Sequence, residues 1–178
     1  MKKVLLYLIA IIVILFTAYS CQDKHKAKNY NDKTLADDEA INFIKQGLEG
    51  GLTEIRTASM AKDNSSNPRI INFANMIIAD HIRADNELKK IENDKLIDDR
   101  DTVSSEHQKM IASLSEKSDI DFDRAYMDMM IVDHEKAVEL FRSVANNTSA
   151  TIQKFASKTL PILQMHLDSA KAIRKTLK

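Results

Sequence analysis

Apolar residues recur along this chain at the three-to-four-residue spacing of amphipathic helices, in four long stretches and one short one. Over 37–62 the apolar face is Ile41, Ile44, Leu48, Leu52 and Ile55, and Asp37, Asp38 and Glu39 suit the positive end of the helix dipole. The run Asn64 to Pro68 breaks the chain. Asn67 as cap and Pro68 as first helical residue start a second helix with Ile71, Ala74, Ile78, His81, Leu88 and Ile91 on one face. That helix fades into the charged run Asp98 to Asp101. A shorter helix, about Ser104 to Lys117, aligns Val103, His107, Met110 and Leu114. The third long helix opens at a cap region, Ser118 to Asp121, and carries Tyr126, Met130, His134, Ala137, Phe141 and Val144. Asn146 to Ser149 separates it from the last, which carries Ile152, Phe155, Leu163, His166, Ala170, Ile173 and Leu177.

Two hairpins of long helices, joined by a crossover that holds the short helix, predict an all-α, ferritin-like four-helix bundle over residues 35–178. Three glycines, two prolines and no tryptophan in 178 residues agree with that class. All three glycines, Gly47, Gly50 and Gly51, fall inside the first helix, where each costs about 1 kcal/mol relative to alanine. Such a cluster implies either a neighbouring helix packed close against it or a local distortion. Pro161 is expected to interrupt the fourth long helix, freeing the Ser157 carbonyl and bending the axis just ahead of His166.

The N-terminal end follows a different pattern. Lys2 and Lys3 precede an unbroken apolar run from Val4 to Ala18, about 22 Å long as a helix, which is short for a membrane crossing and right for the apolar region of a signal peptide. Ala18-Tyr19-Ser20-Cys21 resembles a bacterial lipobox, with Cys21 as the lipidated first residue of the mature protein and Tyr19 an unusual occupant of its position. The expectation is a lipoprotein signal peptide over 1–20, a lipidated polar tether over 21–34, and export to the cell envelope. Gln22, in place of Asp after the cysteine, favours the outer membrane. The alternative is an uncleaved signal anchor. His25, within the tether, is given no role.

Charge narrows the function. The whole chain is neutral, and losing Lys2 and Lys3 leaves about −2. There is no basic stripe and little aromatic content, so nucleic-acid binding has no support. Neither a nucleophile elbow, nor a phosphate loop, nor His-Glu-x-x-His occurs, which leaves hydrolase and kinase chemistry without support.

The dipeptide Asp-His occurs twice, as Asp80-His81 and Asp133-His134, and Phe73-x-x-Met76-x-Ile78-x-Asp80-His81 aligns with Tyr126-x-x-Met129-x-Ile131-x-Asp133-His134 at constant offset. With His166, three imidazoles lie on faces that three different helices should bury. Such rings converge either on a metal ion or only on one another. Ile78, Ile131 and Leu163 stand three residues before the histidines, so the Glu-x-x-His of di-iron oxidases is missing. A metal site of His81, His134 and His166 with Glu54 as fourth member suits copper, zinc or iron. Glu54 shares a face with the small residues Gly47, Gly51 and Ala58. Met127, Met130 and Met165 are near enough to offer thioether sulfur, a slight tilt toward copper. Asp80 and Asp133 lie about 100° around the helix from their histidines, so they are read as partners that orient a ring on a neighbouring helix, Asp80 holding His134 or another group there and Asp133 the reverse. The competing reading is a structural or partner-binding envelope protein whose Asp-His pairs only lock the bundle through cross-helix hydrogen bonds. His107 is expected to pack or cap.

Four stretches carry a family likeness: Glu49-Gly50-Gly51-Leu52-Thr53-Glu54; Phe73-Ala74-x-x-Ile77-x-x-Asp80-His81; Phe122-Asp123-x-x-Tyr126-x-x-x-Met130-x-x-Asp133-His134-x-x-Ala137; and Thr159-Leu160-Pro161-x-Leu163-x-x-His166-Leu167. Together they resemble domain of unknown function family 4142, an exported bacterial family. The resemblance implies a ferritin-like bundle and supplies no biochemical activity. The chain also looks distantly similar to another exported His- and Met-rich bundle family in which copper binding is suggested.

Overall fold

Asn67 opens the second helix as its neighbours predict: its side-chain oxygen accepts the Arg69 N–H at 3.0 Å, and Pro68 occupies the first helical position. The computed structural model describes residues 38–95, 97, 102–145 and 149–178. The proposed signal peptide, tether and lipidated Cys21 lie outside the described residues. The helices are α1 (Asp38–Asn64), α2 (Pro68–Asp94), α3 (Ser105–Ser115), α4 (Asp119–Val144) and α5 (Ala150–Arg174). No strand occurs among the described residues.

The four long helices form a helical bundle in which α1 packs on α2 and α4, and α5 packs on α2 and α4. The short α3 lies against α4 and α1. Ser104 caps α3 by accepting the His107 N–H, whereas Ser118 and Ser149, at the starts of α4 and α5, make no side-chain cap. The helix α5 continues through Pro161 as one element, so the expected interruption is absent.

Burial rotates two of the predicted faces. In α1 the buried positions are Ala40, Phe43, Ile44, Leu48, Gly51, Thr53, Glu54, Thr57, Ala58 and Ala61, while Ile41, Leu52 and Ile55 are half-buried. In α2, Ile70, Phe73 and Ile77 are buried and Ile71 and Ile78 are half-buried. Each helix contacts two long neighbours, so its inward stripe is wider than one apolar row, and small and polar residues fill the closest approach.

The apolar core is divided. One cluster gathers Ala58, Ala61, Ile70, Phe73, Ile77, Tyr126, Met130 and Ile173. The other gathers Phe43, Leu48, Leu88, Phe141, Phe155 and Leu163, with Phe43 and Phe141 meeting edge to face at 4.9 Å. Each large side chain buried this way contributes roughly 2–3 kcal/mol. Along α1, α2 and α4, the gap between the clusters falls at Glu54, His81 and His134. A polar layer thus interrupts the core at mid-height, and such a layer costs stability unless its groups find partners.

A buried histidine and carboxylate centre

Each long helix contributes one side chain to that layer: Glu54 from α1, His81 from α2, His134 from α4 and His166 from α5. The four are 3%, 8%, 0% and 0% exposed, which buries ionisable groups in the middle of the bundle. One ring nitrogen from each histidine falls in a set whose members lie within 4.8 Å of one another. The repeated sequence pattern is expressed directly in space. Phe73 meets Tyr126 edge to face at 6.3 Å, and His81 meets His134 at 5.8 Å between ring centroids.

Hydrogen bonds fix the ring protons. His134 Nδ1 lies 2.9 Å from the carbonyl oxygen of Met130, which only accepts, so Nδ1 carries the proton. Glu54 Oε1 lies 3.3 Å from the same nitrogen. His166 Nε2 donates to Asp80 Oδ2 at 2.9 Å, a bond that crosses from α5 to α2. The remaining nitrogens, His134 Nε2 and His166 Nδ1, face each other at 3.2 Å. On the other side of the layer, His81 Nε2 is 2.6 Å from Glu54 Oε2, yet neither atom meets the geometry of a hydrogen bond.

The electrostatics sort the rings into two kinds. Burial pushes His81 down, but Glu54, Asp85 and Asp80 outweigh it, and the net shift is upward. Burial lowers His134, and Glu54 does not recover the loss. Burial and the neighbouring His134 and His81 overcome the Asp80 bond at His166 and bring it down to about 4. Burial raises the Glu54 carboxyl, but His134 and His81 more than offset that and hold it down to about 2. At neutral pH the layer therefore holds an ionised carboxylate, a proton-seeking His81, and two neutral imidazoles.

The remaining predicted residues divide. Asp80 orients His166 rather than His134, and its other oxygen contacts Arg83 Nη2. Asp133 does not mirror that role. Its Oδ1 lies 3.7 Å from His107 Nε2, and neither carboxylate oxygen has a hydrogen-bond partner among the described residues. Met130 is buried in the apolar cluster and serves the site through its carbonyl. Met165 is 45% exposed, one position and about 100° around α5 from His166, which removes it from the inward donor set.

Two carboxylates escaped the sequence reading. Glu49 Oε1 accepts from His107 Nδ1 at 2.7 Å and from the Ser104 N–H at 2.8 Å, and so ties α3 to α1. Asp85, one turn beyond His81, comes against Gly51, where a methyl group would overlap its carboxylate. A methyl at Gly47 would lie 2.8 Å from Leu88 Cδ2, whereas nothing approaches Gly50. Close helix packing therefore accounts for Gly47 and Gly51, and α1 stays unbroken. A cavity of about 150 Å³ opens beside the layer, lined in part by Glu49, Glu54, His81, Asp85, His107 and Asp133.

Among solved structures, the fold is similar to a DUF305 fragment from Deinococcus radiodurans at TM-score 0.72 and 14% identity, covering 80% of this chain and 99% of that one. It is also similar to CopM in its Cu(II)-bound form, at TM-score 0.64 and 19% identity, covering 78% and 97% of the two chains. A silver-bound form of CopM matches at TM-score 0.65 and 20% identity, covering 76% and 95%. No curated protein matches the chain. Residues 25–173 match the family described as a domain of unknown function, DUF4142, and the chain belongs to that family.

Proposed function

We propose that this protein binds a divalent transition-metal ion through His81, His134 and His166, with Glu54 as a neighbouring carboxylate. The observation that carries the reading is the approach of His134 Nε2 to His166 Nδ1 at 3.2 Å. Both rings commit their other nitrogen as a donor, and both are shifted toward the neutral form, so two lone pairs are aimed at one another. A cation between them relieves that repulsion. Two nitrogens held about 2.0–2.1 Å from one tetrahedral ion lie roughly 3.3 Å apart, which agrees with the spacing. Three imidazoles and a carboxylate suit Cu(II) or Zn(II), with Cu(II) favoured by intrinsic affinity. The fold likeness to CopM, solved with Cu(II) and with silver, supports a transition-metal ion at this site.

The bundle is best read as ferritin-like, two hairpins joined by a crossover, without the glutamates of a di-iron oxidase. The proposed setting is the cell envelope, with attachment through a lipid on Cys21. Among the described residues no helix is long and apolar enough to cross a membrane. The competing role, a bundle locked by Asp80–His166 and Glu54–His81 alone, accounts for the cross-helix contacts but leaves the His134–His166 approach without a stabilising partner.

Metal analysis of untagged protein tests the reading, repeated on His134→Ala and His166→Ala. Wild type is expected to hold copper or zinc, and ion at a hundredfold excess over Kd raises stability by about 2.7 kcal/mol. Either variant loses both effects. Absence of ion above background in wild type, with equal destabilisation by the two substitutions, supports the structural lock instead.

A further inference from the structure

The cavity beside the histidine layer contains a second arrangement that the first does not use. His107 Nδ1 is 2.7 Å from Glu49 Oε1, and the same oxygen accepts the Ser104 N–H at 2.8 Å. A carboxylate only accepts, so Nδ1 carries the proton, and an incoming ion takes Nε2 as its ligand atom by displacing any proton there. Nε2 faces Asp133 Oδ1 at 3.7 Å; burial pushes the His107 pKa down, but Glu49 and Asp133 outweigh it and the net shift is upward. Asp133 is 8% exposed, and neither of its carboxylate oxygens has a hydrogen-bond partner among the described residues. An anion in that position is costly unless a cation completes it. Lys136 lines the same cavity and its charge acts on both Asp133 and His107, while its exposed ammonium lies 3.7 Å from Glu106 Oε1 on α3 and makes no hydrogen bond to Asp133.

We infer that His107 Nε2 and the Asp133 carboxylate form a second cation site, distinct from the His81–His134–His166 cluster, for a divalent first-row ion such as zinc. A nitrogen and an oxygen each about 2.1 Å from one ion stand roughly 3.4–3.7 Å apart at angles between tetrahedral and slightly wider, which matches the pair. Glu49 is a positioning residue: it fixes the tautomer and direction of the His107 ring, as carboxylates do behind many metal-bound histidines. Two protein ligands leave the remaining positions to water from the cavity, so the ion is held more loosely than in the buried cluster and exchanges with solvent. The two Asp-His dipeptides then differ in use. Asp80 orients a histidine, whereas Asp133 takes an ion directly.

The test uses zinc alone with the full chain, measured by calorimetric titration on wild type, His166→Ala, His107→Ala and Asp133→Asn. Wild type takes up a second, weaker zinc ion, which His166→Ala retains. Both His107→Ala and Asp133→Asn weaken that event at least tenfold while the tighter event persists. Glu49→Gln weakens it less and leaves Asp133 in place. Unchanged weak binding in both His107→Ala and Asp133→Asn overturns the site, whatever happens at the histidine cluster. Should a variant fail to fold, zinc-edge anomalous diffraction from zinc-soaked wild-type crystals decides: a peak between His107 and Asp133 supports the site, and its absence overturns it.

Discussion

His134 Nε2 and His166 Nδ1 stand 3.2 Å apart, each the acceptor nitrogen of a ring whose donor is already engaged. Neither ring can rotate to relieve the contact without losing a bond, His134 to the Met130 carbonyl and His166 to Asp80. Both imidazoles are thus aimed before any ligand arrives.

The Asp80 bond makes the aim of His166 dependent on a side chain that the proposed ion never touches. Asp80→Ala should leave all three imidazoles in place yet weaken Cu(II) binding about 10–100-fold, the range found when ring-orienting partners are removed. Competition with a coloured chelator measures it. Unchanged affinity would mean that packing alone orients His166.

Acid should unfold the metal-free protein earlier than its carboxylates imply. His166 has a folded pKa of about 4 against 6.5 for the free side chain, and His134 is shifted the same way. Between pH 6.5 and 4 the unfolded chain binds protons that the folded one refuses, so stability falls as pH falls through that window. His81 acts oppositely: its contribution is present below 6.5 and is lost as pH rises through its raised value. Glu54 adds stability above 4.5 that disappears as pH falls toward about 2. Thermal melts in chelator from pH 7 to 4 should show a shallower loss for His166→Phe than for wild type. Parallel slopes would show that His166 is not held neutral.

The three glycines should answer differently to alanine. Gly50 has nothing near its missing side chain, so Gly50→Ala is expected to stabilise by about 0.5–1 kcal/mol. Gly51→Ala must displace the Asp85 carboxylate, which also helps raise the pKa of His81, so the helix gain is spent and His81 loses part of its upward shift. Chemical denaturation together with a histidine titration by NMR checks both effects.

Much of this was legible in the sequence. The helices follow from apolar spacing, and the second starts at the cap that Asn67 and Pro68 announce. The three histidines converge because each lies at a buried phase of its own helix, and Glu54 joins them on the face of small residues. Apolar spacing could not reveal Glu49 and Asp85, because their positions look like ordinary solvated charge until α3 and Gly51 close over them. The neighbour of Asp133 was hidden for the same reason: His107 comes within 3.7 Å of it from an element whose docking depends on contacts far apart in sequence. Met165 was separable in principle, since the residue adjoining an inward histidine points elsewhere.

The division of the four central side chains between the hairpins has a kinetic consequence. Glu54 and His81 belong to α1 and α2, and His134 and His166 to α4 and α5, so an ion bound as proposed would rivet one hairpin to the other across their seam. Release of that rivet would require the seam to part, and the rate at which the ion left would be a clock for the breathing of the whole bundle rather than a property of the ligand bonds alone.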